Sequence, residues 1–478
     1  MKPPTFYPLI HNEWIKTNRT VKVKNPLDGS TVGTVHIADE DYINMAIESA
    51  QKGFNISREL SSFNRYELLL NIAQGIKQHQ EELCDIIVKE SGKPIRFARN
   101  EISRVQLTFN WAAEESRRLN GQFIPLDVAP QTTGYYGIVR QFPLGVILGI
   151  SPFNFPLNLV AHKIAPAIAS GNSIILKPAS HTPITAIKLG EIIRNAGVPP
   201  GIVNILPVPG RIAEKLVKDG RIHKLSFTGS AQVGWYLKSI SGKKRVTLEL
   251  GGNAGTIVEP DVEIDNIIPR LVLGSYAYAG QVCISIQRIL VHESIFHEFI
   301  KNFSIETEKS AQYGDPMDEN IVVGPMIDLH EAKRAEDWIN EAAKSGAKII
   351  MGGKRENSFI ESTIITKTTP DMKVECEEIF APVVTINPYY HFSEAIEMVN
   401  NSHYGLQAGV FTNDFRKIQE AYHKLEVGGV IINDYPTFRI DPMPYGGIKD
   451  SGFGREGIQY AINEMTELKL LAIKGEKN

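Results

Sequence analysis

Cys283, in the run Gly280-Gln281-Val282-Cys283, is the cysteine whose surroundings point to covalent chemistry. A thiol attacks as its thiolate, and it ionises more readily near amide dipoles or a helix start. Four other segments end apolar runs in polar residues: Asn154 in SPFNFP, Lys177 in ILKPAS, Gly229 and Ser230 in SFTGS, and Glu249 in TLELGG. Singly, each has an ordinary use as a turn, a solvated charge, a helix cap or a surface carboxylate. Together they suit one reaction centre. Attack on a carbonyl creates an oxyanion, which the Asn154 amide and the Cys283 backbone N–H would stabilise. Glu249 would serve as general base on the water that releases a thioester. FTGS, closing a strand and opening a helix, offers backbone N–H groups to a pyrophosphate, and Lys177 offers a cation to a ribose or phosphate. The G-x-G-x-x-G fingerprint is absent, so it lends no support.

The elements that must position these residues follow from periodicity. From Asp41 to about Leu119 the pattern is helical, with one stretch closed by Gly92 and Pro94. Gly121 to Gln141 reads as a strand hairpin leaving the main body. Short apolar strands then alternate with helices: GVILGIS, SIILKPA, IVNILPVPG, HKLSFTGS and RVTLELGG. This predicts an α/β fold with a doubly wound, mostly parallel sheet, whose ligands bind beyond the strand carboxyl ends. A second alternating series after Cys283 (RILVHES, GAKIIMGG, VVTINPYY, AGVFTND, GGVIIND) predicts another α/β domain. The segment from about Met465 to Lys474 reads as a strand that pairs across a subunit boundary or lies at an internal edge.

With 478 residues the chain exceeds one ordinary core. Its 51 basic and 54 acidic residues are nearly balanced, which argues against a nucleic-acid partner. The sequence carries neither a long unbroken apolar run nor a signal-peptide pattern, so no membrane partner and a cytoplasmic location are expected. Cys84, Cys283 and Cys376 form no CxxC and no disulfide framework, and no metal site is assigned. Cys84 lies on an apolar-periodic helix and reads as an inert core residue.

The segments PFNFP, ILKPA, FTGS, LELGG, GQVC, EEIFAPV and MPYGGIKDSGFGREG, in this order and spacing, resemble the aldehyde dehydrogenase superfamily over essentially the whole chain. FRIDPMPYGGIKDSGFGREG is most similar to members acting on lactaldehyde, sulfolactaldehyde or phosphonoacetaldehyde. The resemblance implies a Rossmann-like cofactor domain (1–120 and 141–251), a catalytic domain (252–444) and a small β oligomerisation arm (121–140 and 460–478). A homodimer or homotetramer is implied. It further implies Cys283 as nucleophile, Asn154 in the oxyanion hole and Glu249 as the base for hydrolysis. Cofactor contacts carry over to Ile150, Ser151, Pro152, Phe153, Lys177, Ser180, Gly210, Gly229, Ser230, Val233, Leu250, Glu378 and Phe380. Glu249 disfavours the rival coenzyme A acyltransferase, and the intact set disfavours an inactive structural homologue.

NAD-preferring relatives often carry a glutamate where Ser180 stands, so NADP or NAD is expected, with a lean to NADP. The substrate tunnel is implied to be lined by Arg104, Phe155, Leu159, His162, Val282, Ile284 and Arg439. Two arginines and a histidine are costly to bury unless an anion pairs with them. A short aldehyde with an anionic or hydroxylated tail is therefore expected. The bland alternative pairs Arg104 with Glu101 or Glu114, and Arg439 with Asp434 or Asp441. Val282, where some phosphate-handling relatives place an arginine, weakens phosphonoacetaldehyde and glyceraldehyde 3-phosphate. Succinate semialdehyde stays open.

Overall fold

The structure, a computed structural model, describes residues 3–475. Its first large sheet holds five parallel strands: Val146–Ile150, Ser173–Lys177, Val203–Ile205, Lys224–Thr228 and Arg245–Glu249. From Val146–Ile150 the chain winds one way to Ser173–Lys177 and Val203–Ile205. It then returns to lay Lys224–Thr228 and Arg245–Glu249 on the other side. The strand order therefore reverses between Val146–Ile150 and Lys224–Thr228, the point at which open α/β sheets bind ligands beyond their strand ends. Nearly every residue of these strands is buried, as a sheet covered on both faces requires.

One covering helix, Asn158–Ala169, is buried at all twelve positions. An apolar helix of this kind belongs inside a layer, not at its surface. It packs between the sheet and the helices Ser62–Gln78, Ile95–Ser116 and Ile458–Glu464. The long helical pattern ending at Gly92 is two helices, Ser62–Gln78 and Gln80–Ser91, broken at His79. A straight helix of that length would run about 45 Å, too long to keep Leu69, Ile76, Leu83 and Ile87 in one core.

The second sheet runs in the order Lys348–Met351, Thr363–Thr366, Val383–Tyr389, Ile286–His292, Ala254–Val258, Gln407–Phe411, Gly429–Ile432, antiparallel only at the first pairing. A third, of three antiparallel strands, forms an arm from Gln122–Pro125, Tyr135–Pro143 and Thr466–Lys474. The C-terminal strand pairs with Tyr135–Pro143 inside the same chain, from Thr466 against Pro143 to Lys474 against Tyr135. It is thereby an edge strand of the arm, with Gln122–Pro125 at the opposite edge. The preceding helix Ile458–Glu464 places Ile458 and Ile462 in the core. Among the described residues no helix is long and apolar enough to cross a membrane.

Candidate active site

The two large sheets meet in opposite senses. Ile150, Lys177, Thr228 and Glu249 end strands of the first sheet. Cys283, Glu378, Phe380 and Leu406 stand just before strands of the second. Glycine makes the join close: a Cβ at Gly252 would collide with the Cys283 carbonyl, and one at Gly251 with the Glu378 carboxylate. Before Cys283 the backbone is left-handed at three successive residues, Tyr278 (φ 53°), Ala279 (φ 55°) and Gly280 (φ 65°). Two of these are not glycine, and such conformations persist only where surrounding packing imposes them.

Cys283 is partly buried in an apolar cluster with Phe97, Phe155, Tyr278, Val282, Ile284, Leu406 and Tyr445. The expected neighbours Phe155, Val282 and Ile284 are there; Tyr278, Leu406 and Tyr445 were not anticipated. Leu159, by contrast, is buried in the same helix as His162. Burial pushes the Cys283 thiol up to about 11, opposed by the Tyr445 hydroxyl 3.1 Å from its sulfur. Asn154 is buried; its amide donates one N–H to the Gln281 carbonyl at 3.0 Å, which leaves the second free. Both Glu249 oxygens are buried without a hydrogen-bond partner. Burial and then Glu456 hold this carboxyl well above the usual range, against the pull of Arg439, Lys163 and Arg455.

Glu456 is the hub of a buried charge cluster. It accepts from Lys163 and from Arg439, each at 3.1 Å, and Lys163 also donates to Thr228 at 2.7 Å. Despite burial, these cations hold its carboxyl down to about 2. The alternative pairs expected for the arginines do not form. Asp434 goes to Arg270, Asp441 lies 3.1 Å from His162, Glu101 to Lys93, and Glu114 faces Arg118. Arg439 takes Glu456 in their place, since that glutamate is the carboxylate buried beside it. Arg104 differs: one terminal nitrogen is buried with no acceptor, while burial and the neighbouring Arg439 lower its pKa. His162 is fully enclosed; burial and Arg439 lower its pKa, against the pull of Asp441 at 3.1 Å.

Several cofactor candidates lie at or just beyond the ends of strands of the first sheet. Ser151 Oγ is buried without a partner, and the Lys177 ammonium, buried and depressed to about 8 by that burial, has no ion pair among the described residues. Ser230 opens the helix Ala231–Ile240 with no side-chain cap, so the first-turn N–H groups stay available. Val233 is exposed on that turn, and the neighbouring Gly234 lies close against buried Leu250. Gly210 opens the helix Gly210–Lys218. Phe153, beyond Ile150 and Pro152, meets Phe380 edge-on at 5.9 Å and so bridges the two sheets. Phe380 has φ 51°, and Glu378 accepts from the Gly252 N–H at 2.9 Å while burial raises it to about 7. Ser180 and His181 border a cavity of about 720 Å³, and the His181 ring lies 3.4 Å from Asp328. These orphaned polar atoms and the uncapped helix start fit a dinucleotide.

The aldehyde dehydrogenase family matches residues 14–471. The chain belongs to that family. A 3-sulfolactaldehyde dehydrogenase of Priestia aryabhattai is 42% identical over 465 residues, 97% of either chain. The crystal structure of aldehyde dehydrogenase 21 from Physcomitrella patens, complexed with the product succinate, superposes with a TM-score of 0.97 at 41% identity, covering 99% of both chains. That of a glyceraldehyde-3-phosphate dehydrogenase from Methanocaldococcus jannaschii, complexed with NADP, gives 0.92 at 39% identity over 96% of this chain and all (100%) of that one. As a member of the aldehyde dehydrogenase family, the protein is an NAD(P)-dependent enzyme of aldehyde oxidation.

Proposed function

We propose that the protein oxidises a short aldehyde with an anionic or hydroxylated tail, of the sulfolactaldehyde or lactaldehyde kind, to the carboxylic acid. The observation that carries this is Arg104. A buried guanidinium nitrogen without an acceptor, next to a second arginine, is stable when a ligand anion supplies the missing partner. The apolar cluster around Cys283 then holds the short carbon chain.

In this reading the Cys283 thiolate adds to the aldehyde carbon, forming a C–S bond and placing the carbonyl pair on oxygen. The free N–H of Asn154 and the Cys283 backbone N–H receive that oxyanion. A nicotinamide cofactor, which Lys177, Ser230 and Glu378 would help to hold, would supply the two-electron oxidation by accepting hydride from that carbon. Glu249 takes a proton from the water that attacks the resulting thioester, the C–S bond breaks and the acid departs. Ser180 leaves room for a 2′-phosphate beside Lys177, which favours NADP. Three unpaired thiols suit a reducing cytoplasm.

A rate survey with NAD and NADP tests the substrate. Sulfolactaldehyde and lactaldehyde should outpace propanal, and Arg104→Ala should lower kcat/KM for sulfolactaldehyde by about tenfold to a hundredfold while sparing propanal. Equal losses for both would remove the anion clamp. Succinate semialdehyde is the second reading, favoured by the succinate bound in the moss enzyme at TM-score 0.97; a higher kcat/KM for it than for the lactaldehydes would select it.

A further inference from the structure

Tyr445 lies in the passage MPYGGIKDSGFGREG, yet no pattern assigned it a task. Its ring is 2% exposed, and its hydroxyl stands 3.1 Å from Cys283 Sγ. The Arg439 guanidinium lies 3.7 Å from the ring centroid, a cation–π contact that fixes the ring's face. The backbone is pinned as well, through the Tyr445 N–H to the Glu456 carbonyl at 3.0 Å. A phenylalanine would fill this space equally, so only the hydroxyl distinguishes the residue chemically.

The groups that face the sulfur pull in both directions. Glu378 and Glu249 oppose a thiolate, whereas Arg439 and the Tyr445 hydroxyl favour one. The phenol itself is buried among Cys283, Arg439 and Glu249, and burial and then Cys283 hold it well above its ordinary value. It therefore keeps its proton and is available as a donor whenever the sulfur is charged.

We infer that Tyr445 is a catalytic residue whose O–H donates a hydrogen bond to the Cys283 sulfur each time that sulfur is anionic. This rests on Cys283 being the nucleophile. The thiol first releases its proton to solvent, leaving the charge opposite the phenol. Carbonyl attack moves the sulfur pair into the C–S bond, and the hydrogen bond slackens because a thioether is a poor acceptor. Hydrolysis breaks the C–S bond, returns the pair to sulfur and restores the contact. Tyr445 thus assists both nucleophile and leaving group without transferring its own proton.

The test is the rate of carbamidomethylation of Cys283 by iodoacetamide, from about pH 6 to about pH 10, in cofactor-free protein. Peptide mass separates the reaction from that of Cys84 and Cys376. Tyr445→Phe should move the rate–pH curve about one pH unit upward, close to tenfold slower near neutrality, with a similar loss of kcat/KM for anionic and neutral aldehydes alike. That uniformity separates it from Arg104→Ala, which discriminates between tails. Replacement of Tyr445 by 3-fluorotyrosine, a more acidic phenol of nearly the same shape, should move the curve downward. It also serves where the phenylalanine variant folds poorly. An unmoved curve in either protein, or faster alkylation in Tyr445→Phe, overturns the inference. Labelling of Cys283 without loss of activity would instead refute the nucleophile assignment.

Discussion

At the scale of single residues, the two arginines near Cys283 differ in what else they hold. Arg439 is tied to Glu456, which also anchors Lys163, so Arg439→Ala leaves that buried carboxylate with one of its two cations besides removing a proposed substrate contact. Its effect on anionic aldehydes should therefore come with a fall in stability, whereas Arg104→Ala should leave stability nearly unchanged. Glu456→Gln should be the most damaging substitution in the cluster, costing about 3–5 kcal/mol in urea unfolding because two buried cations lose their shared partner. A cost below ~1 kcal/mol would mean that water already screens the cluster.

The residues proposed to carry chemistry were legible where they interrupt apolar runs: Lys177 and Glu249 end buried strands, and Asn154 stands in the turn beyond one. Glu456, Lys163 and Tyr445 were not, because their meaning lies in partners far along the chain. Lys163 left one trace, a lone cation in the otherwise apolar helix NLVAHKIAPAIA.

At the scale of elements, close approach of backbones sets the site. Gly252 lets the loop after Arg245–Glu249 rest on the Cys283 carbonyl, and alanine there would push the two sheets' contributions apart. A displacement near 1 Å is enough to lower kcat/KM by about a hundredfold. Gly252→Ala should show that loss with an unchanged near-UV circular dichroism spectrum; full activity would show that the loop yields.

A buried carboxylate caps another element. Glu90 accepts from the Ile184 and Thr185 N–H groups, both at 2.9 Å, at the start of the helix Pro183–Asn195. Burial raises it from 4.5 to about 7. Between those values the folded chain keeps a proton that the unfolded chain releases. Its contribution is thus complete on the acid side and falls as pH rises through about 7. The slope reaches at most ~1.4 kcal/mol per pH unit. Urea midpoints measured across this range should lose that slope in Glu90→Gln; identical pH dependence in both proteins would place the titration elsewhere.

At the scale of the whole molecule, the arm exposes apolar side chains on both of its faces, Phe123 and Leu471 on one and Leu468 and Leu470 on the other. Phe123 is 70% exposed, Leu468 67%, Leu470 52% and Leu471 57%. Large apolar groups clustered on a projecting sheet favour association, and a homodimer or homotetramer is the expected state. Leu468→Asp with Leu471→Asp should reduce the sedimenting mass toward that of one 53.1 kDa chain. A wild-type protein that already sediments at that mass would remove this expectation.

The amino-acid sequence alone determined the alternation of strands and helices, and hence two α/β layers with polar residues at the strand ends. Periodicity and turn chemistry are local, so they survive being read one window at a time. The break at His79, the internal seating of the C-terminal strand and the choice of Glu456 for Arg439 were decided only by tertiary structure. Each depends on which of several chemically equivalent surfaces or carboxylates is brought near. So does the character of Cys283. Its thiol, its tyrosine partner and the unpaired Arg104 acquire their properties from burial and distance, which exist only once the two sheets have closed on each other.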